Sequence, residues 1–142
     1  MKKFITIIII FIAILCMIIY GYLQYRVKFQ NIKTQNVYFE TYLNKEVSCF
    51  ELTSIINKAI DRNYQNNVKK DEKGFYKQND TDSIAIQVKM TDNDKTYDME
   101  SFYNGGMENF IQYYRLINFK CTKIEYHEKT KLISYMYFEQ IA

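Results

Sequence analysis

The 142-residue sequence has no proline and no tryptophan, only four glycines, one histidine and three cysteines. Each scarcity excludes something. A single histidine, with no Cys-x-x-Cys or Cys/His spacing, rules out a zinc ligand set. The one glycine pair, Gly105-Gly106, lacks the spacing with which a loop cradles phosphate and reads as a helix break. The serines of the polar region (Ser48, Ser54, Ser83, Ser101, Ser134) stand in no nucleophile-elbow context. Charge of one sign is missing too: after Lys2 and Lys3, seventeen Lys and Arg face sixteen Asp and Glu. That near balance leaves no electrostatic footprint for nucleic acid.

What is present begins with FITIIIIFIAILCMIIYGYL, twenty residues from Phe4 to Leu23 without a charge. A helix of that length rises about 30 Å, the thickness of a bilayer's hydrocarbon core. A cleavable signal would have a shorter apolar run and a small-x-small site, and a lipoprotein signal a small residue before Cys16, where Leu15 stands. An uncleaved signal anchor is expected, amino terminus inside and the rest outside the cytoplasm, with Tyr20, Tyr22 and Tyr25 at the outer interface. The lipid bilayer is the first partner.

No glycine or proline interrupts the chain from Tyr22 to Lys73, so the helix is expected to continue to about Asn44. Tyr25, Phe29, Ile32, Asn36, Phe39 and Leu43 recur at alternating steps of four and three, the spacing of a heptad seam. That stripe either packs on the protein's own domain or forms a self-association face, and Asn36 suits both. The expected organisation is a leader and span over 1–23, an amphipathic stalk over 24–45 and an α+β domain over 46–142.

In that domain, Ser48-Cys49-Phe50-Glu51 is a capping box, followed by Leu52, Ile55, Ile56, Ala59 and Ile60 at helical spacing. The helix ends in the asparagine-rich run 63–67. A turn at 71–74 separates Val68 from Phe75-Tyr76, and Ile84, Ile86, Val88 and Met90 alternate as a half-buried strand. After a polar turn at 91–95, Tyr97 extends the sheet, and 99–103 and 107–114 read as short helices. Residues 119–127 and 132–139 form a hairpin. The fold class is α+β, a long membrane helix and an amphipathic helix followed by a small antiparallel sheet.

Chemistry is harder to find. Cys121 and His127 share a strand face but lie about 20 Å apart, too far for a thiolate–imidazole pair. Asp80, Asp82, Asp92, Asp94, Asp98 and Glu100 invite a calcium reading, yet Tyr97 occupies the position where an EF-hand loop needs glycine. Solvated turns account for them, and neither metal nor cofactor is expected. Tyr113, Tyr114, Tyr126, Tyr135, Tyr137 and Phe138, interleaved with Lys120, Lys123, Lys129 and Lys131, are expected to divide into an aromatic core face and a lysine-solvated face. Cys49 and Cys121 can pair in an oxidising exterior, and spacing, which cannot show proximity, leaves free thiols open.

The segments ELTSIINKAIDRN, KKDEKGFYKQND, TYDMESFYNGGMENF and FKCTKIEYHEKTKLISYMYFEQI resemble small membrane-anchored proteins of clostridial-type Gram-positive bacteria, a resemblance that brings no established activity. The order of basic leader, hydrophobic helix, amphipathic half and sheet also resembles type IV pilins and pseudopilins. In that family the helix packs in a filament core. Lys3 and Ile8 stand where the prepilin peptidase site has glycine and glutamate. The expectation is a non-enzymatic, single-pass cell-envelope protein that binds another protein or itself. A pilin-like subunit and an extracytoplasmic ligand-binding or sensory module are the alternatives.

Overall fold

A computed structural model describes residues 1–141 and orders them as α1 (Lys2–Glu40), β1 (Glu46–Ser48), α2 (Cys49–Gln65), β2 (Ala85–Met90), β3 (Lys95–Asp98), α3 (Met99–Gly105), α4 (Met107–Tyr114), β4 (Asn118–Tyr126) and β5 (Ile133–Ile141). Two units separate along the chain, Met1–Thr34 and Gln35–Ala142. The first is helical, and every side chain from Met1 to Asn31 is exposed. Helix α1 is long and apolar enough to cross a membrane, which answers its uninterrupted Ile-rich run.

The second unit opens with the last turns of α1. Asn36 and Phe39 are buried there, and Phe39 belongs to the main apolar core. Expected to run to about Asn44, the helix stops at Glu40. Asn44 takes a left-handed backbone (φ 61) and its N–H donates to the Cys121 carbonyl at 2.8 Å. Past Glu40 the helix winds down through the bonds of Tyr42 N–H to Phe39 O and Leu43 N–H to Glu40 O, and from Asn44 the backbone bonds β4 instead and leads into β1, a three-residue strand too short to show a period.

Helix α2 starts at the capping box: Glu51 N–H donates to Ser48 Oγ (3.2 Å) and Ser48 N–H to Glu51 Oε2 (2.8 Å). Leu52, Ile55, Ile56 and Ala59 are fully buried, and Ile60 nearly so. The asparagine run ends it through a Schellman closure, in which Asn67 at φ 54 supplies the left-handed residue. Its N–H bonds Tyr64 O, and Val68 N–H bonds Asn63 O, using carbonyls a helix end otherwise leaves free.

The sheet order is β1-β4-β5-β2-β3. Here the structure corrects an expectation, because the sheet is mixed: β2 and β5 run parallel, with Gln87 opposite Tyr137, while the other pairs are antiparallel. Helices α3 and α4 carry the chain away from β3, so that the β4–β5 hairpin enters between β1 and β2. Strand alternation reports local hairpins and is silent on such insertions.

Ile86, Val88 and Met90 of β2, Phe119 and Cys121 of β4, and Met136 and Phe138 of β5 join the core with α2. Arg62 of α2 is buried with them. Its guanidinium lies 5.7 Å from the centre of the Phe39 ring and its nitrogens have no hydrogen-bond partner among the described residues. Burial lowers its pKa, against the opposing pull of Asp82.

Candidate functional site

The carboxylates that invited a metal are spent one by one. Asp80 pairs with Lys129 and Asp94 with Lys89. Asp82 accepts from the Asn79 amide, Asp92 from Gln140 and Asp98 from Gln87. Glu100, buried in the first turn of α3, accepts the Tyr76 N–H at 3.1 Å, and burial pushes its pKa up. Among the described residues no three His, Cys, Asp or Glu side chains converge to hold a metal ion.

Cys49 and Cys121, left open between a bond and free thiols, are both fully buried free thiols. The β1–β4 register explains the separation, since Ser48 faces Asn118 and Glu46 faces Lys120. Cys49 opens α2 just past Ser48, whereas Cys121 lies three residues along β4 from Asn118 and bridges Leu43. Burial raises both thiols, Cys121 to about 11.

The heptad stripe is divided. Tyr25 and Phe29 are exposed, Ile32 is half-buried, Asn36 and Phe39 are buried in the second unit, and Leu43 lies past the helix end, 41 % exposed. Asn36 serves the domain's own backbone: its amide donates to Lys131 O (2.7 Å) and accepts from Ile133 N–H (3.0 Å).

The tyrosines fall differently from the expected division. Phe138 faces the core, but Tyr135 and Tyr137 lie on the opposite sheet face, half-buried, with near-parallel rings 6.4 Å apart. Beside them on that face are Gln87 and Ala85 of β2 and Lys123 and Glu125 of β4. Along β5 they alternate with the buried Met136 and Phe138, so period two itself splits Tyr135 and Tyr137 from Phe138. Tyr135 donates its hydroxyl to Gln87 at 2.9 Å, and burial raises its pKa to about 12.

At one end of this face a cleft of about 530 Å³ is bounded by the loop before β2 and the β4–β5 turn, with Gln78, Glu125, His127, Glu128 and Tyr135 in its wall. The loop is rigidly built. The Asn79 side-chain oxygen accepts three backbone N–H groups, from Thr81, Asp82 and Ser83, and Thr130 reaches across to Thr81 O. His127 locks the two walls together by donating from Nε2 to the Ser83 carbonyl at 2.6 Å. Tyr113 and Tyr114 lie elsewhere, lining a smaller aromatic groove of about 270 Å³ with Tyr97, Phe102 and Phe110.

The cleft has carboxylates, amides and hydroxyls, and among the described residues the His127 ring bonds a backbone carbonyl and no hydroxyl or thiol. Its walls offer hydrogen-bond acceptors and aromatic edges, the equipment of a binding surface. Searches against protein-family models, curated proteins and solved structures return no match for this chain.

Proposed function

We propose that this chain is a membrane-anchored, non-enzymatic cell-envelope protein that acts by binding another protein. Its α+β domain lies outside the cytoplasm. One observation carries the reading: an open sheet face bears the Tyr135–Tyr137 pair and ends in a preformed cleft. Paired, partly exposed tyrosines beside polar groups are the composition of protein-binding surfaces. A hydrophobic anchor keeps such a surface at the bilayer.

A photo-crosslinking residue at Tyr137, in intact cells, tests the reading, with protease shaving of the same cells to report the side of the membrane. A discrete crosslinked partner, with the domain cleaved from outside, is expected. Adducts with lipid alone, or a domain protected after the wall is opened, would sink the partner or the orientation respectively. The pilin-like alternative is favoured by the exposed Tyr25 and Phe29 on α1 and predicts recovery of only the protein itself.

A further inference from the structure

The cleft is unevenly charged within a nearly balanced domain. Asp80, Glu125 and Glu128 border it, and of these Asp80 pairs with Lys129 and Glu125 with Lys123 of the adjoining sheet face. The Lys129–Asp80 pair is loose, 3.7 Å with both side chains largely exposed, and such pairs contribute little. Glu128 has no ion-pair partner among the described residues.

His127 lines the same cleft although only 7 % of it is exposed. The Ser83 carbonyl can only accept, so Nε2 carries the proton of that bond. In the neutral ring the lone pair then sits on Nδ1, which bonds nothing among the described residues. The buried side-chain atoms that lack a partner among the described residues all belong to Arg62, so Nδ1 is not sealed off, and the cleft that His127 lines is the space beside it. A side chain held this deeply, with a free acceptor beside carboxylates, matches a ligand that donates hydrogen bonds and carries positive charge.

The neighbouring corner already holds such a group. Lys123 Nζ pairs with Glu125 and stands 5.8 Å from the centre of the Tyr135 ring, within the range of a cation–π contact. A bare metal ion does not fit, since the acceptors are spread around the rim and do not converge. A planar guanidinium, with five N–H donors and a face that stacks on an aromatic ring, spans them better than a compact ammonium.

We propose that this cleft receives an arginine side chain presented by a polypeptide partner. The proposal rests on the protein-binding reading and names the chemistry that the partner brings. The sole histidine makes the test direct, because its imidazole nuclear magnetic resonances need no assignment. The full chain in detergent micelles is titrated with a blocked tetrapeptide containing one arginine, with its citrulline and glutamate counterparts, and with free arginine.

Saturable shifts of the His127 ring with the arginine peptide are expected. Citrulline and glutamate peptides should give none, and free arginine should bind at least tenfold more weakly. Glu128→Gln and Glu125→Gln should each weaken the arginine peptide at least fivefold while the spectrum stays that of a folded protein. A silent histidine, or an equal response to citrulline, would overturn the proposal, as would free arginine binding as tightly as the peptide. A partner crosslinked at Tyr137 with a silent His127 defeats the cleft inference alone. A responsive His127 with no protein recovered in cells defeats the protein-binding reading and the polypeptide source with it.

Discussion

Asn63 is joined twice to Ile84: its side-chain amide donates to the Ile84 carbonyl and accepts the Ile84 N–H, both at 2.8 Å and both buried. The residue that enters β2 is thus held by a side chain of α2. Asn63→Leu strands two backbone groups at once. A loss of about 2 to 5 kcal/mol is expected from the cost of buried unpaired groups, measured by urea unfolding of the full chain in micelles. A loss under about 1 kcal/mol would mean that water replaces the amide.

Asn36 makes the matching contact with Lys131 and Ile133 at the entry to β5. This separates the two readings of the heptad stripe. If Asn36 chiefly serves the domain, Asn36→Leu destabilises by about 2 to 4 kcal/mol. In a self-associating seam a buried polar residue costs stability, so the same change would tighten the oligomer. Urea unfolding with analytical ultracentrifugation of the variant distinguishes them.

Glu100 titrates with a sign set by its burial. Burial, seconded by Asp98 and Asp71, raises its pKa above the ordinary 4.5 and outweighs the lowering bonds from the Glu100 and Tyr76 N–H groups. Between 4.5 and the raised value the folded state holds a proton that the unfolded state has lost, so stability falls as pH rises through that window. Glu100→Gln keeps the acceptor for Tyr76 and removes the charge. A flatter stability profile over that window and a higher melting temperature at pH 7 are expected; a lower one would contradict the assignment.

Cys49 and Cys121 should remain unreactive in the folded protein. With its thiol at about 11, Cys121 is thiolate in about one molecule in a thousand at pH 8, and both side chains are fully buried. In a Cys16→Ala background, maleimide should label neither until denaturant is added, and protein prepared without reductant should show two free thiols by mass. A two-dalton deficit would restore the disulfide.

Much of the domain was legible because its signals are local. The uncharged run in α1, the Ser48–Glu51 box, the apolar stripe of α2 and the alternation of β2 depend on residues within a turn or two of one another. The hairpin of 119–139 followed from the same alternation. Asn36 was visible as an anomaly in an apolar stripe, but its partners lie about a hundred residues away. His127 was visible as the only histidine, and nothing nearby in sequence announces its bond to Ser83, 44 positions earlier.

By itself the sequence determined a membrane-length apolar helix and an α+β domain with a capped amphipathic helix, since period, caps and apolar length are properties of contiguous residues. Only the tertiary structure decided that α1 yields at Glu40 to bonds with β4, and that β5 slips beside β2 in parallel. It also decided that Tyr135 and Tyr137 face away from the core and that the loop before β2 meets the β4–β5 turn to make a cleft. Those outcomes depend on which distant backbone groups satisfy one another once the chain is compact, and on which face of β5 the helices cover.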